Sequence, residues 1–531
     1  MDNEKEVSTA YAASQDVVED AKHMDADTLK LASMGYTQDL ERNFSVWSVL
    51  GVGFSLTNSW FAISAALITG INSGGPILIV YGIILIALIS ICVGVSLSEL
   101  ASAFPNAGGQ YFWAHELAPK RYANFASYLT GWFAWAGAVF TSAAVALAVG
   151  SAGVGCYQLT HPDLVIQPWM VVVAYQLVNG FSYFFNCYGK VLPAIASTSL
   201  WVSLISFAVI LITVPAAAPT HQSAQYVFAN FVNNTGWQQN GIAFIVGLIN
   251  TNWAFACLDC ATHMAEEVPR PERNIPIAIM GTVAIGFVTS WFFSIALFFS
   301  LDNLDAIQAS LTGVPVLELF HQALRNTAGA VVLESLIMVT GVGCLIACHT
   351  WQARLCWSFA RDKGVPGYTY LARVNTTLDT PLHAHTASSV IVSLLGLLMV
   401  TASIVLLYIS YSIPVICLLI RGRDNVTHGP FWMGRFGFAS NIVLCLWTLF
   451  TLIMYSFPIY QPVTAATMNY VSVIYFIVIA ILVGYWFIQA RHTYGHRSGS
   501  DAAAAAAAAA AKVADVAQLD GASKESSSND L

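Results

Sequence analysis

The stretch Gly241–Pro276, GIAFIVGLINTNWAFACLDCATHMAEEVPRPERNIP, decides how this chain is read. Its first part is apolar enough to enter a membrane, yet it carries one acid, Asp259, and ends in two carboxylates followed by prolines and bases. An ionisable side chain deep in lipid costs at least about 2.5 kcal/mol even on lenient insertion scales, so it persists only against protein, water or a ligand. The stretch reads as a broken transmembrane helix, with Asp259 the first functional candidate. The plainer alternative is a structural acid bonded to Thr262, His263 or a backbone amide. His263 approaches the charged exit and is expected to be solvated.

The rest of the chain agrees with a membrane setting. Of 531 residues, 57% are hydrophobic and only 9% charged, against about 25% charged in ordinary soluble domains; mean hydropathy is +0.65. The fold class expected is an all-α polytopic membrane protein, in contact with lipid. The formal net charge is -8, but Met1–Arg42 holds ten acids against four bases. The membrane body is therefore nearly neutral, which argues against nucleic acid as a partner. The first forty residues lack an apolar h-region, so no cleavable signal peptide is expected. All ten cysteines fall in or beside apolar runs, where Cys behaves as a small hydrophobe. Cys257-x-x-Cys260 has no second ligand pair, so neither a metal site nor a disulfide framework is expected. No nucleophile–base constellation or HExxH is present, so the chain is read as no enzyme and without a cofactor.

Runs of about 20 apolar residues place spans near 46–70, 77–103, 123–150, 168–187, 191–214, 241–265, 277–300, 329–356, 437–459 and 470–490, with a further 36-residue run from His385 to Ile420. Of the thirteen bases between Asn43 and Ala490, all but Arg325 fall on one predicted face. By the positive-inside rule that face and both termini are cytoplasmic, and a plasma-membrane location is expected. Residues 1–44 then form an acidic tail, 45–490 the membrane domain and 491–531 an Ala/Ser-rich tail with ten consecutive alanines, Ala502–Ala511, expected to be partly helical. Asn233-Asn234-Thr235 is a glycosylation acceptor on a predicted outer loop. Both ends of the run His385–Ile420 must lie on the basic face, which requires an even number of crossings. Two spans and a turn need more than its 36 residues, so either a cramped hairpin forms or a piece is missing.

The first span, SVLGVGFSLTNSWFAISAALITGINSGGP, gathers Gly51, Gly53, Ser55, Thr57, Asn58 and Ser59. Such a cluster marks an unwound helix whose freed amides and half-helix dipole hold a polar group; alternatively the glycines permit close packing and the hydroxyls bond back to the helix. If the halves are inverted repeats, Asp259 faces this interruption and either pairs with a substrate amine or takes up a proton. The loop from Glu99 to Trp113, ELASAFPNAGGQYFW, needs a tight turn at Pro105 and Gly108-Gly109. Arg354, Arg361 and Asp362 in TWQARLCWSFARDKGVPG look by themselves like ordinary decoration of the basic face.

In order and spacing, ELASAFPNAGGQYFW, EEVPRPERNIPIAI and QARLCWSFARDKGVPG resemble the amino-acid/polyamine/organocation transporter superfamily. With FSLTNSW and FACLDCATHMAEE, the chain is similar to its fungal amino-acid, GABA and choline permeases over about Asp39–Arg497. The resemblance implies a five-plus-five inverted-repeat core with two further helices, twelve spans in all, the first and sixth unwound around substrate. Carried over, the substrate-binding residues are Ser55, Thr57, Asn58 and Ser59 in the first span and Phe255, Ala256, Cys257, Leu258 and Asp259 in the sixth. Two departures stand out. The Gly-Ser-Gly of many relatives is Thr-Asn-Ser here, and the fifth-span lysine that some use for proton coupling is absent, since Val191–Pro215 holds no charge and Lys190 sits at the mouth. The ninth and tenth spans, separate in relatives, are shortened and fused here, lacking on the order of a dozen residues.

The function implied is a secondary active permease importing a small amine-bearing solute, an amino acid, GABA or choline, with protons and by alternating access. Choline would need only a cationic contact, at Asp259 or at an aromatic such as Phe255, Trp253 or Trp60. The rivals are a non-transporting nutrient sensor on the same fold and an inactive shortened variant.

Overall fold

The structure, a computed structural model, describes residues 26–36, 38–398, 403–465 and 467–495; the alanine run lies outside them. Among the described residues the regular structure is helical, with loops and turns between helices and one isolated bridge, Asn375 with Thr380. Nine of the described helices are long and apolar enough to cross a membrane, which makes the chain an integral membrane protein. Residues 43–494 form one compact unit. In the other, a short helix Ala26–Ser33 precedes Arg42, whose guanidinium bonds Gln38 and Thr28.

Ser45 caps the first span, accepting from Ser48 N at 3.2 Å, which satisfies an otherwise orphaned donor. This span runs Val46–Thr57, breaks at Asn58 and resumes as Ser59–Ala65 and Leu67–Ser73. The second, third, fourth and fifth spans are Gly75–Ala103, Ala123–Thr160, Pro168–Asn186 and Leu192–Ala217. The sixth is helical only over Asn240–Trp253, loses its helix to Asp259 and closes as a 3₁₀ turn, Cys260–Met264. Pro271–Phe299, Thr327–Arg361, Gly434–Met454 and Val471–Tyr485 give the seventh, eighth, eleventh and twelfth. The amphipathic stretch before the eighth span is a helix, Pro315–Leu324.

Over the run His385–Ile420 the described residues form two short helices, Leu382–Leu398 and Ile404–Arg421, of 17 and 18 residues. At 1.5 Å per residue they rise about 26 and 27 Å, a little less than the roughly 30 Å hydrocarbon core. Both pack on the third span. Each starts or ends on the basic face: Thr380 Oγ1 donates to Asn186 O at 3.3 Å, and Arg421 donates to Glu116 O.

Among the closest helix pairings are the second span with the seventh and the third with the eighth, while the two broken spans, first and sixth, also touch. In each case the partners are five places apart in order, as a repeated unit would give. Gly51 and Gly53 belong to the intact helix, not to its break. A Cβ at Gly51 would stand 2.6 Å from Ala196 O of the fifth span, and one at Gly53 2.7 Å from Thr282 Oγ1 of the seventh; both glycines serve close helix approach. The first span is central and almost wholly buried, whereas the twelfth turns Phe476, Ile477 and Ile481 outward. Asn233 Nδ2 donates to Trp237 O and Asn240 Oδ1, so the predicted glycosylation nitrogen is engaged within its own turn.

Candidate functional site

The two breaks meet. Asn58 adopts φ 31, ψ 66, a left-handed conformation that Asn tolerates better than other non-glycine residues. Its Oδ1 accepts from Ser203 Oγ at 3.3 Å, and the same hydroxyl accepts from Trp60 Nε1 at 3.0 Å, tying the break to the fifth span. In the sixth span Cys257 has φ 66, which costs on the order of 1–3 kcal/mol and must be held by its surroundings. They do hold it: Thr57 Oγ1 donates to Ala256 O at 3.2 Å, and Thr141 Oγ1 lies 3.7 Å from Cys257 Sγ. Cys344 Sγ donates to Leu56 O at 3.0 Å, bringing the eighth span to the same point. Cys257 and Cys260 point apart, the second toward Gly53 O.

Asp259 is fully buried. Tyr411 of the tenth span donates to its Oδ1 at 2.5 Å, and His263 Nε2 lies 3.3 Å from Oδ2. Thr262 bonds the Asp259 carbonyl, not its carboxylate. His263 is not solvated, contrary to expectation: it is 1% exposed, and its Nδ1 lies 2.8 Å from Ala107 O. A carbonyl oxygen only accepts, so Nδ1 carries hydrogen. A neutral ring would then turn the lone pair of Nε2 toward a carboxylate that also only accepts. One proton between Nε2 and Oδ2, on either partner, satisfies both.

What buries His263 is the loop between the second and third spans. Gly108 N donates to Asn106 Oδ1 at 2.8 Å, and Gly109 has φ 51, ψ -123, a conformation for glycine. A Cβ on Gly109 would stand 2.9 Å from His263 Cε1 and 3.0 Å from Thr262 Oγ1. The PNAGG turn is thus a lid seated on the 3₁₀ turn of the sixth span. Around it the basic face is clamped by charge. Glu267 takes a two-pronged bond from Arg354 at 2.8 and 3.0 Å, and Glu266 takes one from Arg361 at 2.6 and 3.0 Å. Glu99 accepts from Arg423 at 2.8 and 2.9 Å and from Met433 N at 2.7 Å. Such bidentate pairs are the strong form of the contact; Arg354 and Arg361 are sixth-to-eighth-span clamps, not decoration.

On the other side of the breaks the molecule is open. A cavity of about 440 Å³ is walled by the first, third, sixth and eighth spans and the start of the tenth. Exposed Ala65 and Gly313 stand at its edge, away from the clamped face. Phe61 and Trp253 line this cavity and also a space of about 10 Å³ bounded by Thr57, Ala256, Cys257 and Cys344. The smaller space holds no more than about one water.

Of the residues predicted to bind substrate, Thr57, Ala256 and Cys257 surround this small central space. Ser55 turns instead toward the fifth and eighth spans with Ala196 and Gly343. Ser59 and Phe255 pack at Gly286 of the seventh, Asn58 turns to Ser203, and Leu258 is buried. Asp259 lines neither space. Sequence reasoning missed Tyr411, Phe61 and Glu334. Glu334 lines the large cavity at 1% exposure, and the cost of an intramembrane acid would have singled it out as it did Asp259. A polar line also escaped notice: Tyr455 OH accepts from Asn252 Nδ2 at 3.0 Å, and Tyr408 OH donates to Asn252 Oδ1 at 2.9 Å.

Comparison with known proteins agrees with this architecture. A family model described as amino acid permease matches residues 44–483. The chain is 55% identical over 458 residues to a choline transporter of Saccharomyces cerevisiae, covering 84% of this chain and 81% of that one. It is 36% identical to a swainsonine transporter of Arthroderma benhamiae, covering 86% and 92%. It is 32% identical to a 7-keto 8-aminopelargonic acid transporter of Saccharomyces cerevisiae, covering 83% and 91%. With its two broken spans in contact and most of its length matched, the chain belongs to the amino acid permease family and is a membrane transporter.

Proposed function

We propose that this permease imports a small quaternary ammonium compound of the choline type, by alternating access and together with protons. The observation that carries the reading is the pair of broken helices around one closed central space, with a wide cavity on one side and a clamped face on the other. Identity of 55% to a choline transporter supports the substrate class. A quaternary ammonium offers no N–H and has no carboxylate, so it asks for aromatic faces and oxygen dipoles rather than an array of amides. Phe61, Trp253 and Thr57, together with the non-helical stretch at Ala256 and Cys257, supply those around the central space.

In this reading Asp259 does not grip the substrate. Its two oxygens are taken by Tyr411 and His263, and the proton between Asp259 and His263 is the one exchanged across the cycle. The fifth span need carry no lysine, because the sixth carries its own acid–imidazole pair. The basic face is cytoplasmic by the positive-inside rule, the termini lie with it as tails outside the membrane domain, and the cavity faces the outside of a plasma membrane.

The test is uptake of labelled choline, GABA and neutral amino acids in a cell lacking its own permeases. Choline is expected to accumulate above equilibrium, and a protonophore to collapse the gradient. Accumulation of GABA but not choline overturns the substrate class; choline binding without uptake overturns the carrier.

A further inference from the structure

The wide cavity contains an acid that its walls do not answer. Glu334 lies about two turns into the eighth span and is buried, and its Oε2 has no hydrogen-bond partner. Asn250 Oδ1, on the same wall, is likewise a buried acceptor without a donor. Among the described residues lining the cavity there is no Lys, Arg or His, and Glu334 is the one acid. Once ionised, a buried carboxylate needs a counter-charge, and the residues lining the cavity supply none. The remaining wall is rich in aromatic faces: Phe61, Trp253, Tyr455 and Tyr475. Carboxylate plus aromatic rings is the chemistry that holds a cation without requiring it to donate hydrogen bonds. At about 440 Å³ the cavity is within the roughly 300–1,000 Å³ of small-molecule sites.

We infer that this cavity is an entry site that captures the organic cation ahead of the central site, with Glu334 as its counter-charge. The inference rests on the organic-cation reading above and extends it: the charge selection is made at Glu334, not at Asp259. The cation held there lies against Phe61 and Trp253, which are also walls of the central space, so its onward path runs between those two rings. Glu334 then sets apparent affinity and charge discrimination rather than turnover.

The test compares wild type, Glu334→Gln and Glu334→Asp by initial rates of labelled choline uptake, normalised to transporter at the cell surface. Inhibition by tetramethylammonium and by the uncharged choline analogue 3,3-dimethyl-1-butanol is measured alongside. Expected for Glu334→Gln is a rise of about tenfold in KM and in the tetramethylammonium inhibition constant. Its maximal rate should stay within about twofold and the alcohol's inhibition should not move; Glu334→Asp should recover most of the loss. An unchanged KM, or a fall in maximal rate alone, overturns the site. If Glu334→Gln fails to reach the surface, Ser151→Lys, which puts a cation on the same wall, must raise KM similarly, and an unchanged KM there overturns the site. If wild type takes up no choline, the transport reading fails separately. Tetramethylammonium binding to the purified protein, wild type against Glu334→Gln, then decides Glu334: a tenfold weakening supports it and equal binding overturns it.

Discussion

Tyr411 reaches from the tenth span to Asp259 of the sixth, a contact 152 residues apart in sequence, and donates to its Oδ1 at 2.5 Å. With His263 on the other oxygen, the carboxylate is held between two helices that an alternating-access carrier would move against each other. Substitution at this point should separate coupling from folding. In Asp259→Asn the new amide can donate to His263 Nε2, reproducing the hydrogen bonds of the protonated pair without an exchangeable proton. The variant is expected to reach the surface normally and to lose accumulation of labelled choline. Normal accumulation would end the assigned role of Asp259.

Tyr411→Phe removes one hydrogen bond to a carboxylate, worth about 1.5–3 kcal/mol, while keeping the ring packed. Accumulation is expected to fall about tenfold, with exchange of internal for external choline much less affected. Equal losses in both assays would make Tyr411 a packing residue only.

Gly109→Ala tests the PNAGG lid. Its φ of 51 and ψ of -123 are costly for alanine, on the order of 1–3 kcal/mol, and the new methyl would press on His263 at 2.9 Å. Transport should be lost with retention of membrane insertion, and Ala107→Gly, which keeps the carbonyl at that position, should be mild. A fully active Gly109→Ala variant would show that the lid does not seat on His263.

The Glu267–Arg354 pair is almost wholly buried, at 5% and 1% side-chain exposure. Arg354→Met leaves a carboxylate without its partner and should cost about 3–5 kcal/mol, whereas Arg354→Met with Glu267→Leu should recover most of it. Thermal unfolding of the purified protein in lipid nanodiscs reads both. No recovery in the double variant would mean that Glu267 has a further essential contact.

Adding about a dozen residues between Leu398 and Ser403 would give the ninth and tenth spans full membrane length. The lengthened chain is expected to show a higher maximal rate of choline uptake than the chain as it stands. Equal rates would show that helices of 17 and 18 residues suffice.

The all-α membrane architecture was legible because apolar periodicity and length are local properties of the chain, and the span boundaries from 46 to 103 are close to those observed. The first break was legible as a region, but its position at Asn58 rather than at Gly51 or Gly53 was not. A glycine in an apolar helix signals either a break or a neighbour at close range, and here Ala196 and Thr282 are that neighbour. His263 was misread because the residue that covers it, Ala107, comes from a loop 156 positions away. The partners of Glu266 and Glu267 were hidden in the same way, since opposite charges on one face do not reveal who pairs with whom. Glu334 was different: its signal was local, an acid inside VVLESLIMV, and the motif at the far end of the same helix drew attention from it.

Phe61 and Trp253 border both the cavity and the central space, whereas the opposite exit is shut by interlocked Arg–Glu pairs and a seated loop. Turning two rings displaces two side chains, whereas opening the clamps shifts packed helices, which takes microseconds to milliseconds. The two halves of a transport cycle would therefore run at very different speeds. Loading would be quick and reversible, release to the clamped side would set the pace, and a solute that flips the rings without loosening the clamps would behave as a blocker.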